Sequence, residues 1–329
     1  MPESMHAIEV LDDDARTLAW REVERPEPGP GQVRIRVAAT AVNRADLLQR
    51  RGRYPVPKGA SPILGLEAAG AIEAVGDGVD GWTVGDPVCV LLEGGGYAEY
   101  VVVDASMLLP VPDGLSMVEA AAIPEVFATA WLNVWMEGAL QPGETVLVHA
   151  AASGVGTAAV QLCRAFGHRC FGTASGPKLP LVADLGAEVT IDRTHSDFVD
   201  AVKTATDGRG VDVILDPVGG AYLDRNVRAL AHRGRLVIIG LLGGATGELP
   251  IARLLMKRQR VIGSVLRSRA RGEKVEIMAE LRSHVWPRFA DGSLSPVIHD
   301  AMPITAAADA HGLLERNETV GKVVLTVPA

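Results

Sequence analysis

The sequence predicts an α/β protein in which a compact β domain precedes a doubly wound parallel sheet. Residues 146–148 form a short apolar run typical of a strand buried on both faces. Small residues follow it, and residues 157–166 then place apolar side chains at helical spacing. Strand and helix patterns continue to alternate until about Val265, which favours a parallel sheet.

Composition limits the classes of protein that the chain can represent. With 329 residues, 48% hydrophobic and 22% charged, the chain is long enough for two globular domains. A net charge of −8 argues against broad nucleic-acid or anionic-membrane binding. No apolar run is long enough to span a bilayer, and the start of the chain lacks a signal core. Cys89, Cys163 and Cys170 are few and without an evident pairing, so we expect a cytoplasmic protein.

The first domain is predicted to be mostly β. Val33, Ile35 and Val37 alternate with Arg34 and Arg36, the pattern of a half-buried strand whose arginines face outward. Further strands are expected at residues 69–75, 86–92 and 97–103, separated by glycine turns.

The second half alternates between strand and helix patterns. Strands are expected at residues 169–174, 189–192, 211–216 and 235–239, and helices at residues 177–185, 197–206 and 221–231. A closing strand at residues 323–327 is expected to return to the first domain. We therefore predict one domain from residues 1–125 and 266–329, and a second from residues 126–265.

The turn after residues 146–148 has the layout of a dinucleotide site. The three positions of the glycine fingerprint are occupied by Ala151, Ser153 and Gly156, with Gly154 added, so only one required glycine is present. Small side chains still allow backbone N–H groups to approach a diphosphate at a helix start. We predict cofactor contacts from Ser153, Gly154, Val155 and Gly156; a tight turn in any α/β protein is the alternative.

Charge near the next strand favours NADPH over NADH. NAD-preferring folds carry an acid about 20 residues past the first glycine, and residues 171–175 contain none. Lys178 and Arg193 follow, and cations suit a 2′-phosphate. We predict that Ser175, Lys178 and Arg193 surround that phosphate, the alternative being that both cations are solvated surface residues.

Several stretches together resemble a known family. They are residues 43–50, 52–54, 63–67, 153–159, 266–269 and 321–325. As a set they resemble the zinc-free quinone oxidoreductase branch of the medium-chain dehydrogenase/reductase superfamily. The greatest similarity is to the tumour-suppressor-inducible quinone oxidoreductase group, and zeta-crystallin is a more distant relative.

The resemblance implies a GroES-like first domain, a Rossmann second domain and a homodimer. It also implies that Asn43, Tyr54 and Thr129 line the nicotinamide and substrate pocket. Further cofactor contacts are implied for Gly240, Leu241, Leu242, Leu266 and Lys322. Many relatives have Asn-Tyr where this chain has Asp192-Arg193, so an arginine replaces a tyrosine beside the expected adenosine phosphate.

Neither zinc site of the zinc-dependent relatives has its ligands here. Asn43 lies where the first cysteine ligand is expected, and Leu66 replaces histidine in Gly-His-Glu. Leucine cannot bind a metal and an amide oxygen is a poor zinc ligand, so we predict no metal. Glu67 is then expected to be a buried, hydrogen-bonded structural acid.

Without zinc, reduction of an activated acceptor is favoured over alcohol oxidation. We predict hydride transfer from NADPH to a quinone or an α,β-unsaturated carbonyl compound, with Tyr54 donating a hydrogen bond or a proton to the developing oxyanion and Asn43 orienting the acceptor or the cofactor. Packing beside Pro55 is the alternative for Tyr54. The alternative functions are an enoyl-thioester reductase and a non-catalytic, crystallin-like protein that binds NADPH or RNA.

Two further features allow structural interpretations. His149 lies at a strand end, where a structural role is expected rather than that of a base. Arg267, Arg269 and Arg271 form a basic run, either a solvated loop or a contribution to the cofactor cleft or a subunit interface.

Overall fold

A computed structural model describes residues 3–328, and the chain divides into two compact units. Unit 1 comprises Met1–Val126, Arg267–Ala290 and Ser295–Ala329. Unit 2 comprises Phe127–Leu266 and Asp291–Leu294. The C-terminal part of the chain thus completes unit 1 rather than forming a separate body.

Strands in the described residues belong to two large sheets and one hairpin. In chain order they are β1 Ser4–Val10, β2 Leu18–Glu24, β3 Gln32–Ala41, β4 Glu67–Val75, β5 Pro87–Leu91, β6 Tyr100–Asp104, β7 Leu108–Pro110, β8 Thr145–Val148, β9 Arg169–Ala174, β10 Val189–Asp192, β11 Val211–Asp216, β12 Leu230–Ile238, β13 Arg260–Gly263, β14 Ile298–Pro303 and β15 Lys322–Thr326.

Two helical segments in the described residues include π-helical turns: Pro124–Trp131 continues through Leu132–Glu137, and Leu281–Val285 joins Arg271–Glu280 to Trp286–Ala290. In chain order the α-helices are α1 Arg44–Arg50, α2 Met117–Ala120, α3 Pro124–Trp131, α4 Gly154–Ala165, α5 Leu179–Asp184, α6 Phe198–Ala205, α7 Leu223–Ala229, α8 Ile251–Lys257, α9 Arg271–Glu280, α10 Trp286–Ala290 and α11 Ala307–Glu315. No helix in the described part of the chain is long and apolar enough to cross a membrane.

Unit 2 contains a six-stranded parallel sheet in the order β10-β9-β8-β11-β12-β13. All four residues of β8 are buried, as the apolar run predicts. The chain begins the sheet in its middle, moves outward to β10, and then returns to add β11 on the other side of β8. The boundary between β8 and β11 is therefore a topological switch point, where ligands bind in open α/β sheets.

Unit 1 contains a seven-stranded sheet in the order β14-β15-β3-β4-β5-β7, with β6 paired to β3. The closing strand β15 pairs antiparallel with β3, so Val324 lies opposite Ala41. This pairing brings the end of the chain beside α1, which begins three residues after β3. The sheet is mostly antiparallel, as expected for the GroES-like β domain, while the parallel sheet of unit 2 is the Rossmann-like one.

The half-buried pattern predicted for β3 is wrong at Arg34, which is buried rather than facing outward. Its side chain is only 4% exposed, whereas Arg36 is exposed as expected. The Arg34 guanidinium pairs with Glu73 on the neighbouring strand β4 at 2.6 Å and with Glu27 at 2.5 Å. Paired charges can be buried where a lone arginine cannot, and the pairing partners are not local in sequence.

Two smaller differences concern the boundaries of helices and strands. Helix α4 begins at Gly154 rather than residue 157, and β12 begins at Leu230, within the segment 221–231 predicted as helix. Residue Leu230 pairs with Val211 before a bulge, which ends α7 early.

Candidate functional site

The turn between β8 and α4 exposes backbone donors at the switch point of the unit 2 sheet. The Ser153 hydroxyl caps α4 by accepting from Gly156 N at 3.1 Å. The N–H groups of Gly154 and Val155 have no acceptor within residues 3–328. Unpaired N–H groups and the positive end of the helix dipole together favour an anion such as a diphosphate.

Gly156 is required because backbone lies directly against its α-carbon. A Cβ at this position would lie 2.4 Å from the Ala150 carbonyl oxygen and 2.6 Å from the Ala151 Cα. Ala150 itself has a positive φ of 51°, so the chain turns sharply just before the helix. The single fingerprint glycine therefore permits the close packing of α4 on the strand end.

Ser175, Lys178 and Arg193 lie where β9 and β10 end, on the same edge of the parallel sheet. Lys178 is partly buried, and its pKa is lowered by burial and by the nearby positive charge of Arg193. Two cations that repel each other across this edge would both be stabilised by a dianion. This arrangement fits the predicted 2′-phosphate site.

The nearest carboxylate at that edge is Asp192, whose oxygen atoms are already engaged. It accepts from the N–H and hydroxyl of Thr194 at 2.9 and 2.6 Å and pairs with His195 at 2.9 Å. These hydrogen bonds lower the pKa of Asp192, so it is ionised at neutral pH. Its position beside Gly176, where an added Cβ would lie 2.9 Å from the carboxylate, was not predicted from the sequence.

The remaining predicted cofactor residues of unit 2 lie on α3 and after β12. Thr129 is buried on α3, and its carbonyl oxygen accepts from Asn133 at 2.7 Å. Leu241 and Leu242, which follow Gly240, are 60% and 55% exposed, whereas Leu266 is 6% exposed. Contacts of these residues with a nicotinamide stay predictions.

In unit 1 Asn43 is held by a buried ion pair. Glu67 and Lys322 are 0% and 4% exposed in their side chains, and Lys322 Nζ lies 2.8 Å from Glu67 Oε1. Asn43 Nδ2 donates to the same oxygen at 2.9 Å, and Asn43 Oδ1 accepts from Lys322 Nζ at 2.6 Å. Asn43 is therefore fixed in one rotamer by partners from two distant segments, β4 and β15.

The Lys322 ammonium has three N–H donors, and the structure supplies an acceptor for each. Besides Glu67 and Asn43, the carbonyl oxygen of Val42 lies at 2.9 Å. The structure therefore gives Lys322 a role in supporting Asn43; its direct contact with a cofactor stays a prediction.

A second buried chain of polar groups lies beneath α1. Asp46 accepts from Asn43 N at 2.8 Å and Gly65 N at 3.0 Å, and the Tyr97 hydroxyl lies at 3.4 Å. Burial raises the pKa of Asp46 to about 6 in spite of these donors. Tyr97 also contacts His311 at 3.2 Å, and burial lowers the pKa of that histidine to about 3.

Tyr54 lies beside Arg267, a residue that the sequence placed only within a basic run. The guanidinium lies over the Tyr54 ring at 5.3 Å from its centroid. Arg267 is 5% exposed, whereas Arg271 pairs with Asp104 near the surface, so the run divides into different roles. Burial and the negative charge of Glu125 raise the pKa of Tyr54, which keeps its hydroxyl protonated.

His149 has the structural role expected for it. It is 1% exposed, and its ring nitrogens contact Thr173 Oγ1 at 3.0 Å and Asn226 Oδ1 at 2.7 Å. Because burial lowers the pKa of His149 to about 4, the ring is neutral at pH 7. Asn226 in turn donates to Asp216 at 2.9 Å, which connects β8 to β11 below the turn.

Metal ligands are not assembled in the described residues. Among residues 3–328, no three or more His, Cys, Asp or Glu side chains are placed to hold a metal ion. A nicotinamide dinucleotide, by contrast, fits the donors of unit 2: unpaired N–H groups at α4 for the diphosphate, and Lys178 and Arg193 for a phosphorylated ribose.

Two family models match this chain, one in each half. Residues 29–113 match the alcohol dehydrogenase GroES-like domain, and residues 154–282 match zinc-binding dehydrogenase. Both models describe parts of dehydrogenases with the two-domain order found here.

Relatives with 30% identity or more extend over nearly the whole chain. A phenolphthiocerol/phthiocerol polyketide synthase polypeptide of Mycobacterium tuberculosis is 35% identical over 314 residues, which are 94% of this chain but only 14% of that protein. A solved structure called NAD-dependent alcohol dehydrogenase is 34% identical with a TM-score of 0.87, covering 98% of this chain and 100% of that one. The CurK enoyl reductase is 30% identical, also with a TM-score of 0.87, covering 98% and 99%.

These matches agree with the sheet orders and with the phosphate-binding turn of unit 2. Because a 34% identical relative is covered over its full length, the protein is an oxidoreductase of the medium-chain dehydrogenase/reductase superfamily, whose members bind a nicotinamide cofactor.

Proposed function

We propose that the protein transfers hydride from NADPH to a quinone or an α,β-unsaturated carbonyl compound without a zinc ion. The observation that carries the proposal is the start of α4, where two N–H groups lack acceptors in the described residues at the switch point of a parallel sheet. The residue at the second expected zinc position is Leu66, whose side chain has no metal-binding atom.

NADPH is preferred over NADH in this proposal because of charge at the sheet edge. Lys178 and Arg193 are close enough for one to lower the pKa of the other, and Asp192 is saturated by Thr194 and His195. A 2′-phosphate would relieve the repulsion between the two cations, whereas a 2′-hydroxyl would not.

The residues of unit 1 supply orientation and charge stabilisation. When bound, the reduced nicotinamide supplies the hydride. The Tyr54 hydroxyl has no hydrogen-bond partner in the described residues and can donate to a substrate oxygen as negative charge develops there. Asn43 contributes rigidity, because its amide is already bonded to Glu67 and Lys322.

An enoyl-thioester reductase is the second candidate function. It is supported by the identity to a polyketide synthase segment and to the CurK enoyl reductase. The chemistry is the same hydride addition to a conjugated carbonyl compound, but a thioester substrate needs room for its pantetheine arm.

An acceptor panel tests the proposal. The purified chain is mixed with NADPH or NADH and with a benzoquinone, a simple enone, an enoyl-CoA or no acceptor, and consumption of the reduced cofactor is followed. We expect kcat/KM to be at least about tenfold higher with NADPH, which corresponds to roughly 1.4 kcal/mol. Turnover with enoyl-CoA alone would favour the second candidate, and tight NADPH and RNA binding without turnover would favour a non-catalytic protein.

The expected homodimer and cytoplasmic setting are further parts of the proposal. Unit 2 ends its sheet at β13, whose one partner among the described strands is β12. Eight of the nine exposed large apolar side chains in the described residues lie between residues 241 and 265, the segment that includes β13: Leu241, Leu242, Leu249, Ile251, Leu255, Met256, Val261 and Val265. An unpaired strand edge beside an apolar surface favours pairing with a second copy.

The buried free thiols support a reducing compartment.

A further inference from the structure

Unit 1 holds a buried donor that lacks an acceptor among residues 3–328. Arg267 is 5% exposed, and its Nε and Nη2 donate to the Glu93 carbonyl oxygen at 2.8 and 2.5 Å. Its Nη1 is buried and has no hydrogen-bond partner within residues 3–328. Because a buried N–H without an acceptor is energetically costly, this orientation requires an explanation.

Arg267 is held firmly in that orientation. Its carbonyl oxygen accepts from Lys274 Nζ at 2.6 Å, and Lys274 also pairs with the Glu93 carboxylate. Tyr54 lies on one side of the guanidinium, and its hydroxyl likewise has no partner in the described residues. A ligand oxygen would satisfy both donors.

Glu125 contributes a third polar group without a partner. Its backbone N–H donates to Glu67 Oε2 at 2.9 Å, which places the residue at the start of α3 against the buried ion pair. The Glu125 carboxyl has no hydrogen-bond or ion-pair partner in the described part of the chain and is only partly exposed. It is close enough to Tyr54 and Arg267 to act on the pKa of each.

The charges around Glu125 favour its neutral form. Burial and the Glu67 carboxylate raise the pKa of Glu125 to about 8, with a further contribution from Asp46. The cations Lys322 and Arg267 oppose this rise, and Tyr54 also faces the carboxyl. At pH 7 the side chain is therefore a carboxylic acid with a proton to give.

We propose that Glu125 is the proton donor for the reduction, acting on a substrate whose carbonyl oxygen is held by Tyr54 Oη and Arg267 Nη1. This assignment rests on the proposed function. Hydride addition at the β-carbon delivers two electrons and leaves an enolate, whose oxygen the two donors stabilise. The Glu125 O–H bond then breaks, a C–H bond forms at the α-carbon, and the resulting carboxylate regains a proton from water.

The direct test replaces the acid with its amide. We expect Glu125→Gln to lower kcat by about a hundredfold, the lower range for losing a general acid. The wild-type rate should fall as pH rises through about 8 because the acid form is lost, and this decline should be absent in Glu125→Gln. Glu125→Asp should retain an alkaline decline, and Tyr54→Phe should slow the reaction but keep it.

Glu276→Gln is the matched control. Glu276 is an exposed glutamate on α9 of unit 1, so the substitution changes charge equally without touching these groups. It should leave the rate and the pH profile as in the wild type. Thermal melting of each variant verifies folding, which the lack of described partners for the Glu125 carboxyl leads us to expect.

A readout without cofactor tests the assignment independently of turnover. Infrared difference spectra of the unliganded protein between pH 6.5 and 9.5 should show one carboxylic acid C=O band that disappears near pH 8. This band should be absent in Glu125→Gln and present in Glu276→Gln. Its presence in Glu125→Gln would overturn the assignment, as would unchanged kcat and an unchanged alkaline decline.

The two proposals fail in different ways. If the wild-type protein reduces no acceptor, the proposed function and the role of Glu125 both fail. If it reduces them and Glu125→Gln does so equally well with the same pH profile, only the role of Glu125 fails.

Discussion

Removal of Lys322 should strongly destabilise unit 1. The Lys322–Glu67 pair is 4% and 0% exposed, with its atoms 2.8 Å apart. Breaking a buried pair by deleting one partner costs about 3–5 kcal/mol, because the other charge remains buried without compensation. Lys322→Met keeps the length and apolar character of the lysine side chain below its ammonium group. We therefore expect the free energy of unfolding to fall by an amount within this range.

The loss of unfolding free energy should be smaller when both charges are removed. In the Glu67→Gln, Lys322→Met double variant, the amide oxygen can still accept from Glu125 N or Asn43 Nδ2, and no buried charge remains from the pair. We expect the double variant to be more stable than Lys322→Met alone, which gives a clear coupling energy in a double-mutant cycle.

Urea unfolding read by peptide-level hydrogen exchange measures this effect. Peptides from β3, β4 and β15 report on unit 1 separately from unit 2. Lys58→Met is the control, because Lys58 is exposed in the same unit and such changes usually remain within about 0.5 kcal/mol. A loss below about 1 kcal/mol for Lys322→Met would refute the reasoning, since it would mean that the pair is hydrated.

Two further predictions concern the cofactor, and a third concerns assembly. Gly156→Ala should weaken dinucleotide binding, measured by calorimetry, at least about tenfold. The added Cβ would lie 2.4 Å from a carbonyl oxygen, and overpacking of this kind typically costs about 1–3 kcal/mol. An unchanged affinity would contradict the proposed role of this turn. Arg193→Ala should raise the KM for NADPH about tenfold and leave that for NADH unchanged, because a hydrogen bond to a charged group contributes about 1.5–3 kcal/mol; equal effects on both would exclude a phosphate contact. Val261→Asp should shift the mass by light scattering from dimer to monomer, whereas Val84→Asp, at a 65% exposed position in unit 1, should not.

The parallel sheet of unit 2 could be predicted because its signals are local. Strands β9, β10 and β11 have the bounds predicted from the sequence. All six residues of β11 are buried, as expected of a strand covered on both faces, whereas β10 at the sheet edge has one buried residue. Gly167, with a φ of 73°, lies two residues after α4, where a glycine in the sequence commonly marks the end of a helix. The β-bulge that begins β12 at Leu230 was missed, because a bulge has no regular period.

Burial of charged residues could not be predicted in the same way. Arg34 was expected to face outward, but its partner Glu73 is 39 residues away in the chain. Lys322 and Asn43 are separated by 279 residues and meet only because β15 pairs with β3. The resemblance implied a role for each of these residues. It did not indicate that all three N–H donors of the Lys322 ammonium bond to acceptors within unit 1.

For a related reason Glu125 was missed as a functional residue, and Arg267 was left with two interpretations, a solvated loop or a contribution to the cofactor cleft or a subunit interface. These two residues are recognised in the structure by a charged or polar atom that is partly or fully buried and has no partner in the described residues. A sequence pattern cannot show which atoms have hydrogen-bond partners. One local hint existed: a glutamate directly after Ala-Ala-Ile-Pro at the end of an apolar segment is unusual, because glutamate is rarely buried unpaired.

The buried polar groups of unit 1 therefore divide into two kinds. Asn43, Glu67 and Lys322 satisfy one another, so they fix the backbone on which the proposed site depends but have no free atom to offer a substrate. Tyr54 and Arg267 leave donors unsatisfied within residues 3–328, at a cost that only a bound oxygen would recover. Substitutions in the first set should thus lower stability and catalysis together, whereas Glu125→Gln should lower catalysis alone.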